Sequence, residues 1–444
     1  MNELKLIREE YNDEIKYTTI LSYGFKYSEE IYIKMPISEK YYMTNKFDPF
    51  LIINIFRLML LGGDWHIRGE VSKSLLDNLE NFCAMWNIVR PDIYKPINII
   101  ADKEFDDSNV KLNDDAIMCF SGGLDACFTA YSHVKKLHGR NTKNIKKAIM
   151  LYGADIPLGS KEQFDIAFNN SKIMLDDLNI ELIPIETNYR SFKNNWDLEH
   201  VPPLVGIMSL YKENYSNILI SSGYMFYANV FDGDGNNPAT NIFLSQNGLN
   251  VITCGDCYSR VEKANAIRNW DLGLKYIRVC WAGEDKSKNC CVCEKCQRSI
   301  LDFKACGVNN VPAFENFKVD LENVILYEDR LMKFWQEILD YNYKYNYLDK
   351  ETVDNINELI SRSRNIIYNN DKVDNNSINI YKEIEDLNKK INKVIDTLAW
   401  WIPIRKWRDN FRNKFFDNFI GGGVNNGFKF LYPLCFELDL NYRL

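Results

Sequence analysis

The chain has only four histidines, His66, His133, His138 and His200, scattered over 444 residues. No catalytic histidine is assigned; each is expected to be structural or exposed. Two common phosphate loops are also missing. No G-x-x-x-x-G-K-[ST] occurs, which excludes the kinase-type loop, and no G-x-G-x-x-G follows a strand, which excludes a dinucleotide fingerprint. Long apolar runs are absent too. The most apolar early run, Leu51 to Leu61, contains Arg57 and falls short of the about 20 residues a membrane span needs, so it reads as a buried helix. The N-terminus, Met1-Asn2-Glu3-Leu4-Lys5, is charged and lacks the apolar segment of a secretory signal, so a cytoplasmic location is expected. The formal net charge of -7 argues against a general nucleic-acid binder, and no DNA partner is expected.

What is present supports a large folded protein. Hydrophobic residues make up 46% of the chain, enough for a sizeable core, and the length implies two or three domains. Twelve cysteines without an export signal read as thiols or metal ligands, not disulfides. Residues 1–110 form an N-terminal α+β region. Tyr17–Leu21, Ile31–Lys34 and Pro96–Ile100 have strand composition, and Ser72 is the expected N-cap of a helix with Leu75, Leu76, Leu79 and Phe82 on one face. Residues 111–312 alternate apolar strands with helical stretches. The strands are Ala116–Phe120, Ala148–Tyr152, Leu182–Ile185, Asn217–Ile220 and, as a fifth, Tyr276–Cys280. This alternation indicates an α/β domain with a parallel sheet. Residues 313–444 form a helical C-terminal region. Residues 318–400 carry charged helical faces, interrupted by an Asn- and Asp-rich loop at Tyr368–Asn379 and resuming at Ile380–Leu398. No internal repeat is present.

The sharpest local signal is Phe120-Ser121-Gly122-Gly123-Leu124-Asp125-Ala126, directly after the strand 116–120. Two glycines let the backbone approach an anion and point N–H groups at it. Ser121 adds a hydroxyl, and the helix that follows presents its positive end. Asp125 is suited either to hold magnesium or to orient the turn. The plain alternative is a glycine turn without a ligand.

The second signal is Cys280, then Cys290, Cys293 and Cys296, with Arg298 close by. Four thiolates at this spacing close a tetrahedron around Zn²⁺ at about 2.3 Å, with no position left open. Three alternatives stay open: Cys254-Gly255-Asp256-Cys257 as a redox pair or as a replacement for Cys280, an iron–sulfur cluster, and Cys291 as a spare ligand. Cys83, Cys119, Cys127, Cys306 and Cys435 read as buried small hydrophobes.

The turn resembles S-G-G-x-D-[ST], the signature of the PP-loop ATP pyrophosphatases, with Ala126 where Ser or Thr is usual. Together with the cysteines, Arg298 and Ser259-Arg260-Val261-Glu262-Lys263, it resembles the 7-cyano-7-deazaguanine synthases of queuosine-precursor biosynthesis. The resemblance covers about residues 112–310. It implies an adenine nucleotide α-hydrolase-like domain using ATP, Mg²⁺ and structural Zn²⁺. By the resemblance, Ser121, Gly122, Gly123 and Asp125 contact phosphate and magnesium within a nucleotide-binding turn running from Phe120 through Leu124. Ser259 and Lys263 are polar contacts, and Ser121, Asp125 and Lys263 are the catalytic candidates.

The chain departs from the family in its long N-terminal region, in lacking a Gln-Arg-His run after Tyr152-Gly153-Ala154-Asp155, and in the unusual segment Phe231 to Pro238. The extended form resembles synthase-like proteins of bacterial antiviral defence, some of which are thought to join a deazaguanine acid to a protein amine. Asn2 stands where an N-terminal-nucleophile glutaminase exposes cysteine, so the nitrogen donor is expected to be ammonia or a partner's amine.

The expected reaction is adenylation of a small-molecule acid followed by attack of the amine, with Arg260 and Lys263 neutralising phosphate or, alternatively, lying on a solvated helix face. Two other functions stay open: a non-catalytic nucleotide-binding or interaction protein of a defence or cell-surface polysaccharide system, and a tRNA sulfur-transfer enzyme. The basic, aromatic stretch from Trp400 to Phe416 suits either peripheral membrane contact or a docked helix. A homodimer is left as an option.

Overall fold

Near-continuous apolar runs make the middle of the sheet. In the computed structural model, which describes residues 2–24, 27–108, 112–192, 195–231 and 234–367, β6 (Asp115–Cys119) and β9 (Asn217–Ser221) are buried along nearly their whole length. Helices Leu124–Val134 and Val201–Ser209 pack on this part of the sheet, as expected for parallel strands covered on both faces. Beside them lie β7 (Asn144–Tyr152), β8 (Glu181–Thr187) and β10 (Asn250–Cys254). The order β10-β9-β6-β7-β8 is parallel throughout.

The first 110 residues join the same sheet. Strands β1 (Asn2–Glu10), β2 (Glu14–Tyr23) and β3 (Tyr27–Pro36) form an antiparallel meander, and β4 (Gly63–Ser72) and β5 (Ile97–Phe105) extend it in parallel beyond β1. The junction is a short antiparallel pairing of β3 with β8, registered at Ile33 with Thr187 and Lys34 with Glu186. Side chains lengthen it: Thr187 Oγ1 donates to Tyr32 O at 2.7 Å, and Asn188 Oδ1 accepts the Tyr32 N–H at 2.8 Å. The result is a ten-stranded, mostly parallel α/β sheet. Residues 1–364 form one compact unit, and a second unit spans 365–444.

The run Leu51–Leu61 lies in a helix, Asp48–Leu61, with every residue from Phe50 to Met59 buried. It crosses helix Val201–Ser209 at Gly206, where an added Cβ would lie 2.5 Å from Ile53 and 2.6 Å from the Pro49 carbonyl. Arg57 is accommodated by a two-pronged pair with Glu29 at 2.5–3.1 Å. Ser72 does sit before helix Lys73–Val89, but its hydroxyl makes no capping bond; its own N–H is instead held by Asp48 Oδ1 at 2.7 Å.

The expected fifth strand is corrected. Tyr276 closes helix Asp271–Tyr276, and 277–280 pair with no strand. Three of their backbone groups are taken by one side chain: Asn289 Oδ1 accepts the N–H groups of Val279 and Cys280 at 2.9 and 3.2 Å, and Asn289 Nδ2 donates to Ile277 O at 2.9 Å. The fifth parallel strand is β10. Residues 318–328 are not helical either; Leu321 and Val324 carbonyls accept from Arg362, and helix begins at Asp329, running to Tyr345 and resuming over 350–367. The expected loop at 368–379, the helix at 380–398 and the basic aromatic stretch 400–416 lie outside the described residues. Among the described residues no helix is long and apolar enough to cross a membrane.

Candidate active site and metal centre

The chain runs from β6 outward through β7 to β8, then returns to place β9 and β10 on the other side of β6. Ligands of open α/β sheets bind at such a reversal, outside the carboxyl ends of the strands. The segment Phe120–Asp125 leaves β6 at that point. Gly122 has φ +77°, a conformation that favours glycine, and Gly123 precedes helix Leu124–Val134 without a side-chain cap. The turn opens on a cavity of about 310 Å³ lined by Phe120, Ser121, Gly123, Leu124 and Asp125. Ala126, buried in the first turn of the helix, also reaches the cavity.

Asp125 is not presented as a free metal ligand. Its two oxygens are taken by Arg260 Nη1 at 2.5 Å and Lys263 Nζ at 3.2 Å. Burial alone would raise this carboxyl, but Arg260 and then Lys263 hold it well below the usual carboxylate range. Magnesium therefore does not fit the Asp125 carboxylate as it stands. Lys263 is fully buried and also donates to Ser222 O at 2.6 Å, so it orients Asp125 from behind. Arg260 lines the cavity. Neither residue belongs to a solvated helix face. Ser259 does not line the cavity; it forms a capping box with Glu262, accepting the Glu262 N–H at 3.3 Å while Glu262 Oε2 accepts the Ser259 N–H at 2.8 Å.

The structure adds two cations that motif reasoning missed. Lys295, inside the C-x-x-C-x-x-C run, lines the cavity, and burial pushes its ammonium down. Arg278, two residues before Cys280, lines it as well and is 7% exposed. Neither forms an ion pair among the described residues. The lining also includes Trp196, His200 and Asn236. Asn236 comes from the unusual 231–238 segment and donates to Ser221 O at 3.0 Å. Behind the site, Arg298 pairs with Glu294 at 2.7 Å and stacks 4.1 Å over Phe334, while Trp335 Nε1 donates to Glu294 at 2.9 Å.

Cys280, Cys290, Cys293 and Cys296 converge, with all four sulfurs within 4.8 Å of one another. The Cys280–Cys293 and Cys290–Cys296 separations are 3.8 and 3.9 Å. A regular tetrahedron with bonds of about 2.3 Å requires edges of about 3.8 Å, so the cluster can bind one metal ion such as zinc. Cys280 is held far below the usual thiol range, first by hydrogen bonding with Cys293 and then with Cys296. Cys291, at φ +64°, turns its sulfur to the Asn289 carbonyl instead.

The Cys254-x-x-Cys257 pair takes no part. Cys257 is exposed, and Cys254 faces His133 and His138 in a second group whose ligand atoms also lie within 4.8 Å. Here the backbone N–H of Lys143 donates to His133 Nδ1 at 2.9 Å. The neutral ring therefore carries its proton on Nε2 and offers it to Cys254 Sγ at 3.4 Å. Burial, then His138 and Lys143, push His133 down to about 4. This group is satisfied by its own hydrogen bonds, and no metal is assigned to it.

No family model, curated protein or solved structure matches the chain.

Proposed function

We propose that this protein is an ATP-dependent ligase of the PP-loop pyrophosphatase type, which adenylates a carboxylate and passes the acyl group to an amine. One observation carries the reading: a glycine turn suited to an anion opens, at the switch point of a parallel sheet, on a cavity whose wall carries three cations, buried Arg260 and Arg278 and half-buried Lys295, against two carboxylates, Asp125 and Asp155. Charge held away from water is expected to be paired; Lys295 forms no ion pair among the described residues, and a triphosphate would supply one.

In the first step a substrate carboxylate oxygen attacks the α-phosphorus. The bond to the α–β bridging oxygen breaks, and pyrophosphate leaves with the electron pair. The turn's N–H groups, Arg260 and Lys295 meet the charge on the leaving group. In the second step the amine nitrogen attacks the acyl carbon, AMP leaves with the electron pair, and the surplus amine proton passes to solvent. Zinc in the four-cysteine cluster would be structural, since no coordination position is open. The resemblance to the deazaguanine synthases supports a flat deazaguanine-like acid, with ammonia or a protein amine as acceptor.

ATP–pyrophosphate exchange across candidate acids tests this. One acid is expected to support exchange, reduced by about a hundredfold or more in Asp125→Ala. Calorimetric ATP binding without exchange for any acid would leave a nucleotide-binding protein and remove the enzyme. Absence of ATP binding would remove the whole reading.

A further inference from the structure

We propose that Arg278 is a positioning residue through which the four-cysteine metal centre sets the anion-binding turn, so that metal occupancy and phosphate binding are coupled. Only the nucleotide part of the test rests on the function proposed above.

A single residue spans the two features. Arg278 Nη2 donates to Ser121 O at 3.0 Å, and the Arg278 backbone N–H donates to Gly122 O at 2.8 Å. On the other side, Nη1 donates to the carbonyls of Cys280 at 3.1 Å and Lys286 at 3.3 Å. Cys280 is one of the four converging cysteines, and Lys286 lies in the loop between it and Cys290. The strand-like segment that carries Arg278 is pinned from Asn289, the neighbour of Cys290, which also donates to Ala313 O at 3.0 Å. Both anchors of the arginine are therefore set by the cysteine loop.

The consequence for the turn follows from peptide geometry. A trans peptide points its C=O and the next N–H in opposite directions. With the Ser121 and Gly122 carbonyls held on Arg278, the N–H groups of Gly122 and Gly123 are turned away from it. Successive N–H groups presented together form an anion-binding concavity. A buried guanidinium meeting only carbonyls is a costly arrangement, and its fork matches what two separate loops require better than a lysine would. Removing the metal frees Cys280 and the 281–289 loop, relaxes the fork, and lets the two peptides rotate.

The test uses the full chain in three states: zinc-loaded, stripped by chelator, and zinc-loaded Arg278→Met. Arg278→Lys serves as a second variant should methionine impair folding. Hydrogen exchange over 119–128 reports the turn, and exchange in β7 and β9 reports global folding. The expected result is exchange at Gly122–Leu124 about tenfold faster in the stripped protein and in the variant, with the strands still protected and one zinc per variant chain, a size usual for linked sites. By reciprocity, ATP slows zinc loss to chelator in the wild type and not in the variant. Turn exchange unchanged in a folded, zinc-bearing variant overturns the coupling. Failure of the loaded wild type to bind ATP would defeat the proposed function, while the exchange measurement would still decide the role of Arg278.

Discussion

Both halves of the sheet bury charge, and they do it differently. In and around the N-terminal half the pairs are closed. Glu39 and Lys147 meet at 2.7 Å with both side chains almost fully buried, and Tyr211 donates to the same carboxylate. Asp48 takes the Ser72 N–H and Lys212, and Arg57 takes Glu29. None of these residues lines the cavity. At the carboxyl ends of the parallel strands the charges are open instead: Asp125 is shared by two cations, and Arg278 and Lys295 line the cavity near the Asp155 carboxylate without forming an ion pair among the described residues. Closed pairs hold architecture together, whereas surplus charge facing space marks where a ligand completes the structure.

The largest effect should come from breaking a closed pair. Lys147→Met leaves Glu39 buried and uncompensated, and should cost about 3–5 kcal/mol in urea unfolding while sparing ATP affinity in the folded fraction. The opposite pattern is expected at the open cluster. Lys295→Met should weaken ATP binding by about 2 kcal/mol, as for a lost hydrogen bond to a charged group, and leave stability unchanged or raised because an unpaired cation is gone. Equal losses of stability from both variants would erase the distinction.

An effect of similar size, confined to acid pH, concerns His133, a buried base with no acid partner. Its pKa is depressed to about 4, so its stabilising contribution is complete above the ordinary histidine value near 6.5 and is lost as pH falls towards 4. Between pH 7 and 4.5 the wild type should lose about 2 kcal/mol more stability than His133→Gln. Parallel pH profiles for the two proteins would show that the ring titrates normally.

Much of the site's frame was legible in the chain. Strands β6 to β9 are compact apolar runs, Gly122 and Gly123 announce a turn, and the cysteine spacing announces a metal centre, because each signal is local. What escaped was long-range. Ile277–Cys280 has the composition of a strand, but its partners are the Asn289 side chain and the Gly122 carbonyl. Strand β10, with Asn250 exposed at its start and only Val251 and Cys254 buried, carries a weaker apolar signal than 277–280. The join between the two halves rests on a few residues of β3 and β8, more than 150 positions apart. Lys295 reads as a spacer between cysteines until the fold turns it into the cavity, and His133 with Cys254 meet across 121 positions.

Helix Asp329–Tyr345 has a further consequence, for the order of assembly. Phe334 covers Arg298, and Trp335 holds Glu294, yet both are made after the turn and all four cysteines have left the ribosome. During synthesis the buried arginine stays wet until this helix docks. The face that carries the turn and the cysteines therefore closes only once this helix is made, and a nascent chain stopped short of it would hold the turn and all four cysteines without their back wall.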